Sequence, residues 1–270
     1  MWQDRFIPTE HEALVSSSFT DYSEEKRKFL VDSLYNRAIG AVKSRYHYNV
    51  AESNVRKNYP IVAKAQELAR QDGGLIGQYQ WVRLWEIARF VKLFDVKTAC
   101  EFGSGGGSTT MFSEVIPGKF VSLEENEKWY ERTKECLPES ANVELLRKDR
   151  LVIDYDGEPG TKYDLPEEFY KQQFDLVYVD GPTTRPLSKD EEKLPILDQT
   201  KKMMPNIDVE FFIENNCAPK VILVDAKRPT VRRLCQKYSD RYNIYLRYYY
   251  KDKQDRKGQF LYHTVMVHRN

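Results

Sequence analysis

Two spacings of apolar residues divide this chain. Up to about residue 95, apolar side chains return every three or four positions, the period of a helix with one buried face. Val31, Leu34, Tyr35, Ala38 and Val42 form one such series, and Ile61, Ala65 and Leu68 form a second. Pro60 suits the first turn of that second helix and Gly73-Gly74 its end. Trp81, Leu84, Trp85, Ala88 and Val91 give a third helix an apolar face, for packing on a core or for roofing a pocket. From about residue 97 short apolar runs alternate with helical stretches, the grammar of βαβ units and a parallel sheet. The expected strands are Thr98–Phe102, Phe120–Leu123, Val143–Leu146, Phe174–Val179 and Val221–Val224. Helices are expected at Thr109–Val115, Glu127–Leu137, around Asp190–Met204 and at Val231–Tyr238, and the stretch from Asp149 to Gln173 reads as a long loop. Ile244–Tyr250 and Gln259–Val267, on either side of a polar stretch, predict an antiparallel hairpin closing the sheet. The fold class is therefore α/β, with a helical segment over residues 1–75, a lid or an oligomerisation element, before a domain over 76–270.

Composition narrows the field. Lys and Arg total 42 against 41 Asp and Glu, a net charge of +1, which counts against a generic nucleic-acid binder. Hydrophobic residues at 41% and aromatic ones at 13% can fill a sizeable core and exclude general disorder. Cys100, Cys136, Cys217 and Cys235 stand far apart, and His11, His47, His263 and His268 show no ligand spacing, so neither a disulfide framework nor a zinc site is indicated. Free thiols fit a reducing compartment. The start, Met1-Trp-Gln-Asp-Arg-Phe-Ile-Pro, lacks a secretory apolar run, and no stretch approaches the ~18 apolar residues of a membrane span, so a cytoplasmic location is expected.

The chemistry is concentrated in Thr98-Ala-Cys-Glu-Phe-Gly-Ser-Gly-Gly-Gly-Ser-Thr-Thr-Met-Phe112. A strand runs into glycines and then into a helix, with Ser108 or Thr109 as the expected cap. In an open α/β sheet this first turn faces the ligand, and glycines let the backbone approach it. The dinucleotide pattern fails, since Ser108 stands where its last glycine belongs, and no Gly-Lys-Ser/Thr of a phosphate loop is present. Glu101 would repel a pyrophosphate and attract a ligand carrying an ammonium and a sulfonium.

Glu101-Phe-Gly-Ser-Gly-Gly-Gly107 resembles the first motif of the class I S-adenosylmethionine-dependent methyltransferases. The resemblance implies a doubly wound, mostly parallel seven-stranded sheet with its first strand central and an antiparallel pair at one edge. It implies S-adenosylmethionine as cofactor, bound by Glu101, Gly103, Ser104, Gly105, Gly107 and Ser108. Lys119-Phe-Val-Ser-Leu-Glu-Glu125 matches the second strand, whose terminal carboxylate holds the ribose: Glu124, with Glu125 as the alternative. Asp149 or Arg150 would lie beside the adenine. Phe174-Asp-Leu-Val-Tyr-Val-Asp-Gly-Pro182 matches the fourth strand and brings Asp180 to the reactive methyl, as cofactor ligand or catalytic base; Val221-Ile-Leu-Val-Asp225 adds a second catalytic carboxylate.

The acceptor follows less directly. Asp180-Gly-Pro-Thr-Thr departs from the Asn/Asp-Pro-Pro-aromatic motif of enzymes that methylate DNA amines, and no cysteine nucleophile follows that strand. Relatives acting on sugars or catechols hold magnesium with an Asp after the fourth strand and an Asp-Asn or Asp-Asp pair after the fifth. Here the second site reads Asp225-Ala226, one ligand short, although Asp180, Asp225 and waters would still make an oxygen set. The run Arg241 to Lys251 reads as an aromatic strand before it reads as a base-stacking surface. The expectation is an O-methyltransferase acting on a sugar, glycan or other small polyhydroxyl compound. A protein or RNA acceptor and a non-catalytic chain of the same fold are the alternatives, and self-association is left open.

Overall fold

Strands β1 (Ala99–Phe102), β2 (Phe120–Glu124), β3 (Glu144–Arg147), β6 (Leu176–Val179) and β7 (Val221–Asp225) are short, and β1, β2, β6 and β7 are buried almost throughout, as expected of a parallel sheet covered on both faces. The computed structural model describes residues 49–71, 79–185, 203–225, 229–251 and 258–269. β8 (Tyr242–Lys251) and β9 (Gly258–His268) complete a seven-stranded sheet in the order β3-β2-β1-β6-β7-β9-β8. β1 pairs in parallel with β2 and β6, β2 with β3 and β6 with β7, while β9 runs antiparallel to both β7 and β8. The expected doubly wound sheet and closing hairpin are present.

Side-chain alternation assigns the two faces. Cys100, Phe102, Val177, Val179, Ile222 and Val224 enter one core, with Tyr163, Phe169 and Phe212. Ala99, Leu176, Tyr178, Val221 and Leu223 enter the other, under α1 (Pro60–Gln71), α2 (Tyr79–Leu93) and α3 (Gly106–Val115). Val62, Trp81, Leu84 and Phe112 share this second core, so the described helices on either side of residue 75 contribute to the same core, α1 through its packing on α3 and α4 (Glu127–Cys136). α4, α5 (Asp208–Glu214) and α6 (Pro229–Tyr238) complete the layers.

Several expectations are corrected. Ile61 and Leu68 are each 39% exposed, whereas Val62, Ala63, Ala65 and Gln66 are buried. α3 begins at Gly106 with Gly105 as its cap residue, ahead of Ser108 and Thr109. The stretch read as a long loop contains the hairpin β4 (Arg150–Tyr155) and β5 (Glu158–Tyr163) and a 3-10 turn at Glu167–Lys171. The helix over 31–42 and Gly73-Gly74 lie outside the described residues. So does most of Asp190–Met204, whose described part, 203–204, is not helical.

Candidate active site

A cavity of about 580 Å³ opens where β1, β2 and β6 end, within the usual size range of small-molecule sites. Its floor is the turn from Gly103 to Ser108; Glu124, Glu125, Asn126 and Trp129 form one wall, and Asp180, Gly181, Thr183 and Thr184 another. Gln66, Gln80, Arg83, Leu84 and Ile87 bring α1 and α2 to its rim.

The turn is tied tightly to its neighbours. The N–H groups of Gly103 and Ser104 both donate to the Leu123 carbonyl, at 2.9 and 3.0 Å. Those of Asp180 and Gly181 donate to the Phe102 carbonyl, at 2.7 and 2.6 Å. Gly103 has φ +90°, and a Cβ there would stand 2.3 Å from the Gly181 nitrogen, so β1 and the end of β6 meet backbone to backbone. Asn206, just ahead of α5, supports the crossing by donating to the Gly181 carbonyl at 2.9 Å.

Glu101 is fully buried beneath this turn and is not part of the cavity wall, which corrects the direct ligand contact expected of it. Thr109 and Ser122 donate to its Oε2 at 2.6 and 2.7 Å, and Thr109 Oγ1 also accepts the Gly105 N–H at 2.9 Å. Glu101 thus fixes the cap of α3 through Thr109. Its Oε1 accepts no hydrogen bond from the described residues. Burial raises its pKa to about 7, against the hydroxyls of Ser108, Thr109 and Ser122, which favour the charge.

Glu124 and Glu125 part company. Glu125 accepts from Tyr163 Oη at 2.9 Å and from the Thr183 N–H and hydroxyl at 2.7 and 2.6 Å, bracing β2 against the loop after β6. Glu124 accepts one backbone N–H, from Asn126 at 2.9 Å, and a long bond from Ser104 Oγ at 3.4 Å. Burial first, then the charge of Glu125, pushes Glu124 up to about 8. Asp149 and Arg150 do not line the cavity; the Arg150 side chain donates to the Thr183 carbonyl at 3.2 Å.

Asp180 lines the cavity and Asp225 does not. The residue that joins them is one the sequence reading passed over. Arg83 of α2 is 6% exposed and lines the cavity. Its Nη2 lies 2.6 Å from Asp225 Oδ1, 3.7 Å from Asp180 Oδ2 and 2.5 Å from Tyr178 Oη, and its Nε donates to His263 Nε2 at 3.4 Å. Burial works against the guanidinium's charge, but Asp225 above all, then Tyr178 and Asp180, outweighs it and raises its pKa. Burial lowers the pKa of His263, whose neutral ring can accept that bond at Nε2. The available signal was four charged residues on this helix, Arg83, Glu86, Arg89 and Lys92, of which Arg83 and Glu86 fall among its apolar positions and are buried.

Strand order 3-2-1 followed by the fourth, fifth, seventh and sixth strands of the main sheet, with the seventh antiparallel, is the arrangement that the motif resemblance implied. The fold is the class I methyltransferase fold. No protein-family model and no curated protein sequence matches the chain. Among solved structures, a provisionally assigned O-methyltransferase from Klebsiella pneumoniae is 14% identical, covering 84% of this chain and 100% of its own, with a TM-score of 0.49. The O-methyltransferase TomG from Streptomyces achromogenes, in complex with SAM, is 14% identical over 81% of this chain and 96% of its own, with a TM-score of 0.47. The O-methyltransferase from Bacillus cereus, in complex with SAH, is 15% identical over 81% of this chain and 97% of its own, also with a TM-score of 0.47.

Proposed function

We propose that the protein is an S-adenosylmethionine-dependent O-methyltransferase acting on a small polyhydroxyl acceptor, with sugars and glycans the first class to test. The observation that carries this reading is the pairing of a glycine turn at the head of α3 with a buried, sparingly bonded Glu124 across one cavity. The residues present fit the cofactor. Gly103 to Ser108 offer backbone at a helix N-terminus, where a carboxylate is favoured. Glu124 keeps acceptor capacity for two ribose hydroxyls. Glu101, buried beneath the turn, would when ionised act on the ligand only at a distance, favouring a cation over a pyrophosphate. When bound, the cofactor supplies a methyl group on an electrophilic sulfonium. In this reading Asp180, which lines the cavity, takes the proton of an acceptor hydroxyl.

The buried, unbridged cysteines are consistent with a reducing, cytoplasmic setting, and no helix among the described residues is long and apolar enough to cross a membrane. Calorimetry with S-adenosylhomocysteine tests the cofactor assignment: saturable binding is expected, and its absence ends this reading. Incubation with labelled S-adenosylmethionine and separate glycan, RNA and protein pools then tests the acceptor, label being expected in the glycan pool.

A further inference from the structure

The strand-end carboxylates Asp180 and Asp225 are where the resemblance would put magnesium. The residues present do not fit that ion. The Arg83 guanidinium already stands between the two carboxylates, at 2.6 Å from Asp225 and 3.7 Å from Asp180. A magnesium ion needs oxygen ligands at about 2.0–2.1 Å and would be repelled by a fixed positive charge at that place. Among the described residues no cluster of three or more His, Cys, Asp and Glu is arranged to hold a metal. The guanidinium is also held from several elements, with one side left to the cavity. α2 delivers it, β6 meets it with Tyr178, β7 with Asp225 and β9 with His263.

We propose that Arg83 is the resident cation of this site and that methyl transfer here needs no divalent metal. The inference rests on the methyltransferase reading for its chemistry, but the place of Arg83 does not depend on it. The bonds from Arg83 to Tyr178, Asp180, Asp225 and His263 use Nε and Nη2, so Nη1 is the nitrogen left to meet an acceptor oxygen in the cavity that Arg83 lines. A guanidinium can donate hydrogen bonds to that oxygen and steady the charge it gains, yet it keeps its own protons. The proton balance therefore closes on Asp180. The acceptor oxygen forms its bond to the methyl carbon, the carbon–sulfur bond breaks with its electron pair left on sulfur, and the hydroxyl proton passes to the Asp180 carboxylate.

Manganese is the probe, read by electron paramagnetic resonance on the full chain with and without S-adenosylhomocysteine. The wild type is expected to bind no Mn²⁺ at the strand ends, and Arg83→Ala, which frees the two carboxylates, is expected to gain a site that Asp180→Asn then removes. Circular dichroism checks that the variants fold. Should Arg83→Ala fail to fold, the wild-type arm still decides: an Mn²⁺ signal lost in Asp180→Asn overturns the proposal, and the lack of such a signal upholds it. Failure to bind S-adenosylhomocysteine with Mn²⁺ still excluded would overturn the cofactor reading and leave Arg83 as the site's cation.

Discussion

Glu124 and Glu125 are adjacent, chemically identical and both at the end of a strand, so only their partners separate them. Glu125 spends its oxygens on Tyr163 and Thr183, whereas Glu124 holds one good bond and one long one. Glu124→Ala should therefore weaken S-adenosylmethionine by about 1.5–3 kcal/mol, the scale of hydrogen bonds to a charged group. An unchanged dissociation constant by calorimetry would move the ribose contact elsewhere. Glu125→Ala should act differently, loosening the bond between β2 and the Thr183 loop and lowering the melting temperature. Asp180 carries a different role. Asp180→Asn keeps its size and removes its charge, so transfer of labelled methyl to the pool that the wild type uses should fall by about 10²–10⁴-fold if the carboxylate is the general base. Cofactor affinity should stay close to wild type; a lost affinity with normal turnover would make Asp180 a cofactor ligand instead.

The glycine turn shows what an element can and cannot reveal from its letters. Gly103, Gly105 and Gly107 look equivalent in sequence, and strain relief is the obvious role for all three. The structure gives each a separate reason. Gly103 has φ +90°, and a Cβ there would meet backbone at 2.3 Å; Gly105 is extended at φ −152°, and its Cβ would stand 3.2 Å from Ser108 Oγ; Gly107 is helical, and its Cβ would stand 2.3 Å from Gln66 Oε1. Gly103→Ala should then cost at least ~2 kcal/mol in urea unfolding, from αL strain and overpacking of about 1–3 kcal/mol each. Gly105→Val should cost less stability than Gly103→Ala, since its extended backbone accepts a side chain, and should abolish S-adenosylhomocysteine binding, because the added side chain crowds Ser108 on the cavity floor. Equal loss of stability in both variants would refute this division. The parallel strands were legible because burial on both faces makes them short apolar runs. The β4–β5 hairpin was not, because Pro159-Gly160 and polar residues break up the pattern of β5, although Leu151-Val152-Ile153 and Asp156-Gly157 were usable signals: Asp156 and Gly157 both have positive φ, 57° and 75°, as a two-residue hairpin turn requires. Arg83 escaped because helical periodicity counts apolar positions and passes over a charge that points inward.

Taken over the whole molecule, the buried carboxyls make stability a function of pH, and the ligand should change that function. Burial raises Glu101 from 4.5 to about 7, Glu124 from 4.5 to about 8 and Asp208 from 3.8 to about 7. In the unfolded chain these groups ionise near their ordinary values, while in the fold they hold their protons about two to four units higher. Between those limits these carboxyls bind more protons in the fold than in the unfolded chain, so their contribution to stability falls as pH rises; His263, whose pKa burial lowers, works the other way below about 6.5. The carboxyls' contribution is complete below about pH 4 and is lost by about pH 8. The ligand-free protein should therefore melt at progressively lower temperature from about pH 5 to pH 8, by roughly 2–4 °C per kcal/mol for a domain of this size. A ligand that donates ribose hydroxyls to Glu124 favours the ionised carboxylate, so its binding should strengthen over the same range as Glu124 gives up its proton. The stabilisation by saturating S-adenosylhomocysteine should accordingly grow from pH 6 to pH 8, and Glu124→Gln, which does not ionise, should remove most of that growth while flattening the ligand-free profile. Scanning fluorimetry across this range reads both effects together. A ligand-free melting temperature that rises from pH 5 to pH 8 would mean that these carboxyls are already ionised in the fold, and a ligand shift independent of pH would mean that Glu124 does not meet the ligand.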